Sequence, residues 1–115
     1  MQVIFESRDT EGRQFQALAE QRVRFVLRRL SGLVPQASIR LSDVNGPRGG
    51  VDKRCQVEFS TQGSGRIVST ATATDWRAAL EGALSRAARR IVRSMQRGQE
   101  RERAQPRRRP AAIGL

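Results

Sequence analysis

The sequence predicts a two-layer α+β sandwich of order β-α-β-β-β-α, a four-stranded mixed sheet with two helices on one face. Two long stretches repeat apolar residues at three- and four-residue steps, and four short segments alternate polar with apolar residues as half-buried strands do. The order adds a third observation. A strand–helix–strand start implies a parallel first pair, and the hairpins that follow imply antiparallel neighbours. Strands of alternating polarity need one face covered and leave the other wet. Two amphipathic helices are enough to cover that face.

Residues 3–6 form the first strand, with Val3 and Phe5 on one side. Glu11-Gly12 then leads into a helix expected over residues 13–31, whose apolar stripe is Phe15, Leu18, Ala19, Val23, Val26, Leu30 and Leu33. Arg24 and Arg28 point away from that stripe, and Arg22 and Arg29 flank it. Gly32 suits a C-cap, and Pro35 blocks continuation. In the second strand Ala37, Ile39 and Leu41 alternate with Ser38, Arg40 and Ser42. Residues 43–50 are a turn-rich connection. The third strand sets Cys55, Val57 and Phe59 against Arg54, Gln56 and Glu58. Gln62-Gly63-Ser64-Gly65 makes a hairpin turn into a Thr/Ser/Ala-rich strand over residues 67–73. Thr74 or Asp75 caps the last helix, residues 76–97, whose apolar sector holds Trp76, Leu80, Leu84, Ala87 and Ile91. Residues 1–97 therefore make one domain, and 98–115 read as a basic, disordered tail without apolar periodicity.

Charge narrows the partner. The chain has 115 residues, 22 basic against 11 acidic, for a net charge of +11 and a sequence pI of about 11.8. The excess is uneven: residues 76–115 hold 11 Arg and 3 acids, a net of 11 − 3 = +8. Such an asymmetry favours nucleic acid or an anionic surface. Arg86, Arg89, Arg90, Arg93 and Arg97 carry the signal. On a helix they fall within roughly a quarter of the circumference, and no acid interrupts residues 86–97. A solvated face normally mixes signs about one turn apart. This rail is therefore read as a phosphate-binding face. Spacing guanidiniums about a turn apart suits a regular array of phosphates better than one small ligand.

Other chemistries find little support. The chain has no His and one Cys, so an internal disulfide is impossible and a His/Cys metal site nearly so. Cys55 falls in the inward register of its strand, which suits a core thiol rather than a nucleophile. Gly46-Pro47-Arg48-Gly49-Gly50 lacks the Gly-Lys-Ser/Thr ending of a phosphate loop and opens a strand, so it reads as a turn, with Arg48 a candidate backbone contact. Asp43 and Asp52 flank that loop and are expected to cap turns or pair with Arg48, Lys53 or Arg54. Trp76, in phase with its helix's apolar stripe, reads as core rather than as a base-stacking platform. No enzyme activity, cofactor, metal or small-molecule substrate is expected. No apolar run approaches 18 residues, and the first residues lack a basic n-region and apolar h-region, so a cytoplasmic, non-membrane protein is expected.

Three stretches carry a family resemblance. Residues 75–81, Asp-Trp-Arg-Ala-Ala-Leu-Glu, resemble the acidic-x-x-Ala-Ala-aliphatic-acidic opening of the last helix in the ribosome hibernation-promoting factors, also called ribosome-associated inhibitor or sigma-54 modulation proteins. Arg86, Arg89 and Arg93 fall where that family's basic residues recur, and residues 41–47 with 50–55 resemble a variant seen in divergent members. The resemblance covers residues 1–97, and the family's fold has the element order derived above. It implies a short-type, divergent member without an evident dimerisation domain. It also implies binding to ribosomal RNA in the decoding channel of the small ribosomal subunit, which blocks initiation, stabilises idle ribosomes and serves stress response. Carried over by position, the RNA-binding residues are Arg22 and Arg29 on the first helix, with Arg28 beside them, and Arg86, Arg89, Arg90, Arg93 and Arg97 on the last. Arg77 stands where the family often has Tyr, and Trp76 precedes it. The alternative is a general RNA-binding module with the layering of a double-stranded-RNA domain. That module usually begins with its helix, whereas this chain begins with a strand.

Overall fold

The computed structural model describes residues 1–44, 52–63 and 65–104, with 98–104 as helix backbone. Strands β1 (Gln2–Ser7), β2 (Gln36–Asp43), β3 (Lys53–Thr61) and β4 (Gly65–Ala73) form one sheet in the order β1-β2-β3-β4. β1 and β2 are parallel, and the other two pairs are antiparallel. Register puts the alternating apolar residues on one face: Val3 and Phe5, with the polar Ser7 after them, oppose Ala37, Ile39 and Leu41, which oppose Phe59, Val57 and Cys55. Helices α1 (Thr10–Arg13), α2 (Gln16–Val26) and α3 (Trp76–Ala104) accompany the sheet. The predicted sandwich is the observed one.

Ala19, Val23 and Leu27 meet the sheet from the first helical segment, and Trp76, Ala79, Leu80, Ala83, Leu84, Ala87 and Ile91 meet it from α3. Among the largest side chains shut from solvent are Phe59, Leu27, Ile39, Leu41, Leu80 and Leu84. Burying one such side chain contributes about 1.5–3 kcal/mol, so these contacts dominate the stability of a chain this short. The outward residues Arg40, Arg54, Arg66, Val68 and Thr72 are exposed, so the opposite sheet face is wet.

The first helix departs from its prediction at both ends. Its start is split: α1 turns at Gln14 and Phe15 before α2 begins. Gly12, expected only to lead into the helix, is buried, and a Cβ there would lie 2.2 Å from the Ser7 Oγ and 3.2 Å from its Cβ. Glycine lets α1 press onto β1. At its other end α2 stops at Val26 rather than Ser31, and tighter turns lead into a 3-10 segment, Ser31–Leu33. The amides of Leu30 and Leu33 donate to the carbonyls three residues back, at 2.8 Å each. Gly32 therefore lies inside the 3-10 turn and is not the cap of a long helix. The rewinding also buries Leu27, which the predicted stripe omitted.

α3 begins where expected. Of the two candidates Asp75 is the cap, its Oδ1 accepting from the Ala78 amide at 2.7 Å. The backbone stays helical past Arg97 to Ala104. A mid-helix glycine such as Gly98 costs about 1 kcal/mol relative to alanine, and the Gln, Glu and Arg after it are good helix formers. The rest of the expected tail, residues 105–115, lies outside the described residues, as do the 46–50 glycine motif and Ser64 of the hairpin.

Cys55 is fully buried, and burial pushes its thiol up to about 12. A thiol this poorly ionised is a weak nucleophile near neutrality. Folded protein at pH 8 is expected to leave Cys55 unlabelled by a disulfide reagent, and denatured protein to release one thiolate equivalent per chain; full labelling of the folded form would contradict this packing. The unfolded thiol ionises near 9.0 and the buried one only near 12, so the unfolded state holds fewer protons in that window and stability falls as pH rises through it.

Candidate nucleic-acid interface

α3 lies close against the last strand. A Cβ at Gly82 would approach the Ala71 Cβ to 3.2 Å, so glycine permits the near contact of helix and strand. Among the described residues β4 ends the sheet, with β3 on one side and no strand on the other. The next turns of α3 carry their arginines over that free edge. Arg86 Nη1 donates to the Thr70 carbonyl at 2.9 Å, and Arg90 Nη1 donates to the Val68 carbonyl. These bonds occupy carbonyls that an edge strand otherwise presents to solvent or to another chain.

The result is an arginine-lined groove between helix and edge. One cavity of about 350 Å³ is lined by Val68, Ser69, Thr70, Arg86, Arg89, Arg90 and Arg93. A second, of about 300 Å³, shares Arg90 and Arg93 and extends to Ile67, Ser94 and Arg97. All five arginines of the predicted rail are exposed. Arg89, Arg93 and Arg97 have no partner among the described residues. With no carboxylate among the described lining residues, their mutual repulsion is left for an anionic ligand to relieve. Arg86 and Arg90 are held at one nitrogen by β4, which leaves further N–H donors of each guanidinium to point elsewhere.

Of the first-helix arginines, Arg22 is held away from the Arg86 flank of α3. Arg22 turns to the other flank of α3, where its Nε and Nη2 meet the Glu81 carboxylate at 2.6 and 3.1 Å. Glu81 precedes Arg86 by five residues, about 140° around the helix, so Arg22 and Arg86 lie on different flanks of α3. The hydrogen-bonded Glu81 also raises the Arg22 pKa further above its ordinary value. Arg28 lies 4.3 Å from the Phe25 ring centroid, with its Nη1 donating to the Phe25 carbonyl at 2.8 Å. Arg29 is exposed and has no partner among the described residues.

The residues weighed for other chemistry are engaged structurally. Lys53 Nζ donates to Asp43 at 2.8 Å and reaches Asp52 at 3.5 Å, and the Asp43 bond is the main cause of its raised pKa. Trp76 is buried, with Nε1 donating to Glu11 at 3.4 Å and Lys53 Nζ lying 5.3 Å from the ring centroid. Among the described residues no three His, Cys, Asp or Glu side chains come together in a way that would hold a metal ion. No described helix is long and apolar enough to cross a membrane.

No protein-family model matches the chain, and a search of curated proteins finds no match. Among solved structures the chain is similar to the crystal structure of the Thermus thermophilus Protein Y N-terminal domain, with a TM-score of 0.57 and 20% sequence identity. The likeness covers 81% of this chain and 98% of that one. The shared feature is the fold. Because the Protein Y domain is covered almost whole, the complete sandwich is shared rather than one βαβ unit.

Proposed function

We propose that this chain is a non-enzymatic ribosome-binding protein, a member of the hibernation-promoting family, that inhibits translation. In this reading α3 enters the decoding channel of the small ribosomal subunit with its rail against ribosomal RNA, where messenger RNA and transfer RNA anticodon ends would otherwise lie. The observation that carries it is the groove of Arg86, Arg89, Arg90, Arg93 and Arg97 along the β4 edge, with no carboxylate among its described lining residues. The resemblance in residues 75–93 and the fold shared with the Protein Y domain support it. Five phosphate contacts give a salt slope of about −4, a loss on the order of 10²-fold in affinity between 50 and 200 mM salt.

The competing reading, a general binder of duplex RNA, predicts comparable affinity for free duplexes and for small subunits. Ribosome recognition predicts that a large excess of duplex fails to displace labelled protein from small subunits at moderate salt. Displacement by equimolar duplex would favour the general binder.

A further inference from the structure

We propose that Phe25, with the Arg28 guanidinium laid against its ring, is a stacking platform for an unpaired nucleobase, separate from the α3 rail. The proposal rests on the RNA-binding reading above and adds to it a contact with bases. Phe25 belongs to α2 but lies off its buried side, which is formed by Ala19 and Val23. It is 53% exposed, whereas Phe5 and Phe15 are half-buried and Phe59 and Trp76 are buried. An exposed phenylalanine alone would need no explanation.

The surroundings of this ring make it a site. Arg28 lies 4.3 Å and Arg22 5.2 Å from the ring centroid. Each guanidinium is fixed by a second contact, Arg28 on the Phe25 carbonyl and Arg22 on Glu81. Ring and cations are thus ordered before any ligand arrives, which lowers the entropic cost of binding. Aromatic rings and guanidinium planes are the groups on which unpaired bases stack, and the guanidiniums also attract the adjoining phosphates. A protein partner would favour an apolar collar around its aromatic anchor. Here the exposed neighbours in sequence are Arg24, Arg28 and Arg29, while Val26 and Leu27 turn inward. The chemistry fits single-stranded RNA.

The test uses the full chain and labelled oligouridylate and oligoadenylate, with a blunt RNA duplex for comparison. Phe25→Ala is expected to weaken single-strand binding roughly five- to hundredfold. The slope of log affinity against log salt should not change, since no phosphate contact is lost. Duplex binding should stay within about twofold of the parent. Phe25→Leu, which keeps an apolar side chain but no π face, should behave like Phe25→Ala. Phe25→Trp should restore binding, and its emission should be quenched by the oligonucleotide over the background of the single native tryptophan, buried Trp76. Unchanged single-strand affinity in a folded Phe25→Leu chain would overturn the proposal. So would equal losses for single strand and duplex. Normal oligonucleotide binding with lost small-subunit binding would assign Phe25 to a protein contact, and so overturn it too. If the parent chain binds neither oligonucleotides nor small subunits, the RNA-binding reading itself falls; if the parent binds and Phe25→Leu is unaffected, only the stacking platform does.

Discussion

Reversing Arg86, Arg89 and Arg93 to Glu together is expected to abolish association with small ribosomal subunits while leaving the protein folded. The three side chains are exposed and line one cavity beside β4. Reversal lowers the net charge from +11 to 11 − 6 = +5 and places three carboxylates where phosphates would lie. Three lost contacts, each with a salt slope of about −0.7 to −0.9, combine with new repulsion in the groove. The structural cost is small. Among the described residues only Arg86 loses a bond, to the Thr70 carbonyl at an exposed edge, worth about 0.5–1.5 kcal/mol. A matched reversal of Arg40, Arg54 and Arg66 controls for net charge, because these lie on the open sheet face, two of them paired with Glu6 and Glu58. That control should keep most of the binding. Undiminished co-sedimentation of a folded Arg86/Arg89/Arg93 triple variant would remove the rail from the mechanism.

Phe59→Ala is expected to produce the largest loss of stability from a single substitution. Phe59 is fully buried on β3 and pairs in register with Ala37 of β2 and Ile67 of β4. Alanine leaves a cavity that the flanking strands cannot close, costing about 3–5 kcal/mol. A domain of this size has about 5–15 kcal/mol in all, so the thermal midpoint should fall by roughly 10 °C or more. Ribosome binding should fail at the lower midpoint, because α3 packs over β3 and β4 and the rail depends on that packing. A change of only a degree or two would contradict the core assigned to these strands.

Strand alternation made most of the sheet legible in the sequence. Ile39, Leu41, Cys55, Val57 and Phe59 lie inward as the two-residue period requires, and the strand–helix–strand start gave the parallel pair. A cap at Thr74 or Asp75 and the arginine rail were also readable, since cap chemistry and angular spacing are local properties; the choice of Asp75 came from its bond to Ala78. The change of winding after Val26 was not. Leu27, Leu30 and Leu33 recur every three residues, a spacing that an α-helix and a run of 3-10 turns both accommodate. The flank of α3 that carries the rail was hidden for a different reason. It depends on Gly82 meeting Ala71 and on Glu81 meeting Arg22, contacts between residues distant in sequence. The β4 carbonyls that hold Arg86 and Arg90 leave no mark in the sequence, because every residue carries one. Phe25 did leave a sign, an aromatic residue at the margin of the apolar stripe, seven residues after Leu18, among Arg22, Arg24, Arg28 and Arg29.

Sedimentation of the tagged full chain with cell lysate, resolved into free protein, subunits and monosomes at low and high salt, asks most directly whether the arginine groove serves the ribosome. The expected result is comigration with small subunits and monosomes at low salt, with release as salt rises along a log–log slope of about −4. Free protein at the top of the gradient even at low salt would contradict ribosome binding.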